Sequence, residues 1–137
     1  MYLLDTNIVS YWMRGDVGII GRIQKNSPAD LSLSAITLAE ILYGIEKSPV
    51  KKKERQEKIR QILSLLALYS FDEAAAGEYA IIRSQLEREG IIISERDTQI
   101  ASIAMANKLT VVTNNVKEFC RVRRLKVEDW AKSGISL

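Results

Sequence analysis

The apolar positions of this chain follow two rhythms. Short runs or strict alternation occur at residues 1–4 (MYLL), 31–34 (LSLS), 67–71 (ALYSF) and 109–112 (LTVV), and these predict strands, the third being the weakest. Between them apolar residues recur every three or four positions, which predicts helices. One helix starts at Asp5 or Thr6 and runs to about Met13, where Arg14-Gly15 stops it; the next covers 16–26 and ends before Ser27-Pro28. A third covers 36–47, with Leu38, Ile41, Leu42 and Ile45 on one stripe and Ser48-Pro49 as its end. Residues 51–66 follow, with Ile59, Ile62, Leu63 and Leu66 on one side. Asp72 opens a long helix that Gly90 closes, and further helices are predicted over 95–107 and, as a short turn, over 115–120. Strands alternating with helices predict an α/β fold with a mostly parallel sheet. With 137 residues and no repeat or linker, the chain reads as one domain over 1–137.

Composition narrows the chemistry more than the fold. Lys and Arg number 20 against 17 Asp and Glu, a net charge of +3 that is compatible with a polyanionic partner without requiring one. No apolar run is long enough to cross a bilayer, and MYLLDTN, with no basic leader, reads as the start of the fold. Cys120 is the single cysteine, so no intramolecular disulfide can form, in keeping with a cytoplasmic protein. The chain contains no histidine. That removes histidine general bases, Ser-His triads and imidazole metal sites, and one cysteine cannot build a thiolate zinc site. Carboxylates are the remaining tools, and they suit the hard cations Mg²⁺ and Mn²⁺.

In a parallel α/β sheet, ligands bind beyond the carboxyl ends of the strands. Asp5 directly follows the first strand, Glu40 lies in the helix after the second, and Asp97 opens the helix before the last. Asn114 and Asn115 directly follow that last strand, with Glu118 one turn later. Clustered carboxylates raise each other's pKa, and a divalent cation relieves the repulsion while stabilising charge on a phosphate. Taken singly, each acid has a plainer reading. Asp5 serves equally well as an N-cap. Thr37 to Glu40 matches a capping box, although Ile36 and Leu38 place the helix start earlier. Asp97 shares a helix face with Ile100, Ala101 and Ala104, and a charge on an inward stripe calls for a partner or a function; its plainer reading is a first-turn acid near a Ser94 cap. Arg121, Arg123, Arg124 and Lys126 form a basic cluster able to contact phosphates, or simply a solvated stretch.

At these residues the sequence resembles the PIN-domain family, and within it the VapC-type toxins of type II toxin–antitoxin systems. LLDTNIVSYW resembles the first motif, SAITLAEILYGIEKS the second, and ERDTQIASIAMANKLTVVTNNVKEF the third and fourth; RVRRLKVEDW resembles the closing segment. The resemblance implies a three-layer α/β/α sandwich. It also implies endoribonuclease activity that depends on Mg²⁺ or Mn²⁺ and cuts structured RNA, often tRNA, thereby inhibiting translation. A homodimer and neutralisation by a VapB-type antitoxin are implied too, with DNA reached only through that antitoxin. On this reading Asp5, Glu40 and Asp97 hold the metal and Asn115 completes the catalytic set. Asn7, Thr113 and Glu118 support them, and Arg121, Arg123, Arg124 and Lys126 hold the RNA backbone. Two features depart from the family pattern: Ile93-Ser94-Glu95-Arg96 replaces a Pro-Ile-Gly-like turn, and Asn115 stands where many members have Asp.

Two other readings compete. A phosphatase of the haloacid dehalogenase type also begins with an Asp after its first strand, but it needs a second Asp two residues on, where this chain has Asn7. A degenerate PIN domain would bind RNA or a protein partner without cutting, and Asn115 is its main support.

Overall fold

The computed structural model describes residues 1–131; the last six residues of the predicted domain lie outside the described residues. Five strands form one sheet in the order β3-β2-β1-β4-β5, and every neighbouring pair is parallel. They are β1 (Tyr2–Leu4), β2 (Leu31–Ser34), β3 (Ala67–Tyr69), β4 (Thr110–Val112) and β5 (Val127–Glu128). The helices are α1 (Thr6–Met13), α2 (Val17–Gln24), α3 (Ala35–Glu46), α4 (Lys52–Leu65), α5 (Glu73–Arg88), α6 (Glu95–Asn107) and α7 (Val116–Phe119).

The strands alternate faces, and that alternation divides the core in two. Leu4, Leu31, Leu33 and Val112 pack with Ile8, Ile19, Ile41 and Ile59 from α1–α4. Leu3 and Val111 pack on the opposite face with Ile82, Ile100, Ala104 and Phe119 from α5–α7. The result is the expected α/β/α sandwich. Trp130, just beyond β5, is fully buried in the first layer, where its ring meets Tyr2 edge-on at 5.1 Å.

Three local readings change. The α3 helix begins at Ala35 with Ser34 as its N-cap, the Ser34 hydroxyl accepting the Thr37 N–H at 3.0 Å. Thr37 therefore lies inside the helix, and Glu40 is not the far end of a capping box. Leu42 is 45% exposed, so the buried face of α3 is Thr37, Ile41 and Ile45. A 3-10 turn at Pro28–Asp30 and the two-residue strand β5 have no counterpart in the sequence pattern, each being too short to show a period.

The strand order sets the functional end. From β1 the chain moves outward through β2 to β3, then crosses back to β4 on the other side of β1. The order reverses between β1 and β4, and at such a switch point the following loops part and leave a crevice.

Candidate metal-binding active site

Asp5 closes β1 and Thr113 closes β4, so both stand at the reversal. The Asp5 N–H extends the ladder, donating to the Val112 carbonyl at 2.8 Å. The Asp5 side chain is 4% exposed and both its oxygens are engaged. Oδ1 accepts the Thr6 N–H at 2.8 Å, and Oδ2 accepts the Thr113 hydroxyl at 2.7 Å. That hydroxyl in turn accepts the Asn115 N–H at 2.8 Å. Asp5 is thus both cap and site residue: it holds the start of α1 while its carboxylate is fixed by β4. Burial pushes its pKa up to about 6; the bonds from Thr113 and Thr6 oppose that, and the negative charges of Asp97 and Glu40 add to it.

The other acids gather around it. Asp97 sits in the first turn of α6, whose N-cap Ser94 accepts the Asp97 N–H at 3.1 Å. Its carboxylate accepts the Asn115 side-chain amide at 3.1 Å. Its pKa is also raised, first by burial, then by Glu118 and Glu40, against the lowering effect of Ser94. Glu40 reaches in from α3: Oε1 accepts the Thr6 hydroxyl at 2.7 Å, and Oε2 accepts the Arg96 guanidinium. The same Thr6 hydroxyl lies 3.2 Å from that of Thr37. Asp97 and Glu40 act electrostatically on Asp5, and Glu118 and Glu40 on Asp97.

An oxygen-only donor set of like charges fits a hard divalent cation. As the side chains stand, no three of the acids among the described residues converge tightly enough to ligate one ion, because Glu40 is turned to Arg96 and Asp97 to Asn115. Asp5 is held in place by Thr6 and Thr113.

The remaining predicted residues divide. Thr113 is fully buried and orients Asp5 directly. Asn7 touches none of the acids; its amide donates to Asn114 at 2.9 Å, and the Asn114 amide donates to the Tyr11 hydroxyl at 2.8 Å. The basic cluster is mostly drawn away. Arg123 pairs with Glu89 at the end of α5. Arg124 and Lys126 line a hollow of about 280 Å³ with Lys108 and Met105, at the amino ends of β4 and β5. That is the opposite edge of the sheet from Asp5, a strand length of roughly 10 Å away. Sequence reasoning missed Thr6, Arg14 and Arg96. Arg14 borders a second hollow of about 240 Å³ that opens beside Glu40 and Thr6. Arg55 lines it too, but its guanidinium is committed to the carbonyls of Val50, Gly44, Ile45 and Ser48. Thr6 lay in plain view inside the first motif; Arg96 carried no signal beyond its place beside Asp97.

Comparison with known proteins agrees with this architecture. The PIN domain matches residues 2–125 of the chain. Ribonuclease VapC2 of Rickettsia felis is 38% identical over 136 residues, covering 96% of this chain and 99% of its own. The tRNA(fMet)-specific endonuclease VapC of Shigella flexneri is 32% identical, covering 95% and 98%. Among solved structures, VapBC2 from Rickettsia felis bound to a DNA fragment from its promoter superposes with a TM-score of 0.87 at 37% identity, covering 94% of this chain and 98% of the other. The chain belongs to the PIN-domain family, in its VapC-type branch.

Proposed function

We propose that this protein is the ribonuclease toxin of a VapBC-type pair and that its acidic crevice hydrolyses an RNA phosphodiester with the help of Mg²⁺ or Mn²⁺. The observation that carries this is the buried Asp5 carboxylate, held from two sides in the β1/β4 crevice with three further acids acting on the same space. Asp5, Glu40 and Asp97 would hold the cation. When bound, it would supply an acidified water and offset the charge that builds on phosphorus. The chain's own part is to orient. Thr113 fixes the plane of Asp5, Asn115 steadies Asp97, and Thr6 ties Glu40 to the start of α1.

Named relatives support the rest. VapC proteins that match nearly end to end are called ribonucleases, one of them specific for tRNA(fMet). Structural neighbours are toxin–antitoxin complexes, which favours a VapB-type antitoxin as partner, with DNA contacted through it. Structured RNA, specifically tRNA, is the substrate class this reading takes, and inhibition of translation its effect in the cytoplasm. Among the basic residues, Arg14 and Arg96 lie at the acidic end and are better placed for the scissile region than Arg124 or Lys126. A homodimer belongs to the same reading, and exposed Leu42, Tyr43, Leu65 and Leu68 offer apolar surface for it.

The test is cleavage of a tRNA pool by the purified protein, with and without Mg²⁺ or Mn²⁺. Asp5→Asn or Asp97→Asn should each abolish cleavage with the fold intact by circular dichroism, and excess EDTA should do the same. Full activity in either variant or in EDTA would overturn the mechanism. Asn115 in place of an acid favours one alternative, a PIN domain that binds without cutting; absence of Mg²⁺ and Mn²⁺ binding by calorimetry would select it.

A further inference from the structure

Arg96 stands out among the charged residues of the crevice. The four acids Asp5, Glu40, Asp97 and Glu118 bring four negative charges together, and among the described residues Arg96 is the one basic side chain bonded to any of them. It stands in the first turn of α6, the positive end of the helix, where a cation is disfavoured. Its side chain is 68% exposed while that of Glu40 is 24% exposed, so the guanidinium reaches inward from solvent over a partly covered carboxylate. An exposed ion pair of this kind adds little to stability, and holding a long side chain in one rotamer works against it. Both Glu40 oxygens are engaged, one by Thr6 and one by Arg96. Thr6 is the first residue of α1, whereas the Arg96 side chain lies mostly in solvent.

We infer that Arg96 exchanges between two anions: it occupies Oε2 of Glu40 in the resting protein, and it turns to a non-bridging phosphate oxygen of the RNA when a divalent cation takes Glu40. This rests on the ribonuclease reading for its second half only. A planar guanidinium suits both anions, since it can present paired N–H donors to a carboxylate or to a phosphate. At rest the guanidinium offsets one of the four negative charges, the part of a cation's charge that the chain itself can supply. It also makes the divalent cation compete with an internal charge, so cation affinity in the wild type is lower than the acids alone would give.

The experiment compares wild type, Arg96→Gln and Arg96→Lys in two measurements. The first is Mn²⁺ titration of the RNA-free protein, following the loss of the free-ion electron paramagnetic resonance signal. Arg96→Gln should bind Mn²⁺ several-fold more tightly than wild type, with Arg96→Lys between them. The second is steady-state cleavage at saturating Mn²⁺, where Arg96→Gln should lose at least tenfold in kcat/KM and Arg96→Lys should recover part of it. Unchanged or weaker Mn²⁺ binding in Arg96→Gln would overturn the exchange, as would unchanged cleavage at saturating cation. The failures are separable. A wild type that cuts no RNA, with tighter Mn²⁺ binding in Arg96→Gln, defeats the ribonuclease reading and leaves the competition for Glu40 standing. A wild type that cuts RNA, with identical Mn²⁺ affinity in Arg96→Gln, does the reverse.

Discussion

Asp5 carries a charge in a place that disfavours it. A carboxylic acid whose folded pKa is raised binds its proton more tightly when folded, so the folded state loses stability as pH climbs from 3.8 through about 6. Ionising Asp5 in the folded protein costs up to about 3 kcal/mol. Roughly half of that returns between pH 8 and pH 5, because the unfolded acid is still mostly ionised at pH 5. In EDTA, wild type should therefore gain stability from pH 8 to pH 5 relative to Asp5→Asn, as read from denaturant midpoints. Equal pH dependence of the two proteins would refute the burial account. The sequence offers two roles for Asp5, cap and ligand; the structure shows the cap, through Oδ1, and shows Oδ2 held by Thr113. The part played by Thr113 was legible only as proximity. Its decisive bond reaches across 108 positions of chain, and no local pattern records such a contact.

At the scale of elements, Ser34 decides where Glu40 points. With the helix starting at Ala35, Glu40 falls on the second turn and faces α1 and α6; a start at Thr37 would have left it as a cap for its own backbone. Ser34→Ala should destabilise the protein by about 1–2 kcal/mol through loss of the cap, a drop that thermal melting will show. The sequence held both starts open because Thr37 to Glu40 matches a capping box while Ile36 and Leu38 place the start earlier. Long elements were readable because their period repeats: α3, α4, α5 and α6 appear within a few residues of their predicted limits. The strand β5 was not, since two residues carry no alternation. Part of the basic run 121–126 ends up away from Asp5. Closeness in sequence to Asn115 did not become closeness in space, because the chain turns back after α7 to begin β5 at the other edge of the sheet.

Across the whole molecule, the C-terminal stretch locks onto the N-terminal strand. Trp130 is 1% exposed, meets the Tyr2 ring edge-on, and lies under the Arg22 guanidinium at 5.1 Å. Trp130→Ala opens a large void in the α1–α4 layer and should cost about 3–5 kcal/mol, a loss measurable by chemical denaturation. Cleavage by folded Trp130→Ala at low temperature should survive, because its ring packs on Tyr2, at the amino end of β1, whereas Asp5 follows the carboxyl end.

The reversal of strand order also fixes when the crevice can exist. Asp5 and Glu40 are made long before Thr113 and Asn115, which orient Asp5 and Asp97 and directly follow the strand that must slot beside the first. A growing chain cannot fix Asp5 in the crevice before Thr113 has been added. The crevice forms only after β4 docks beside β1, however early its first acids are made.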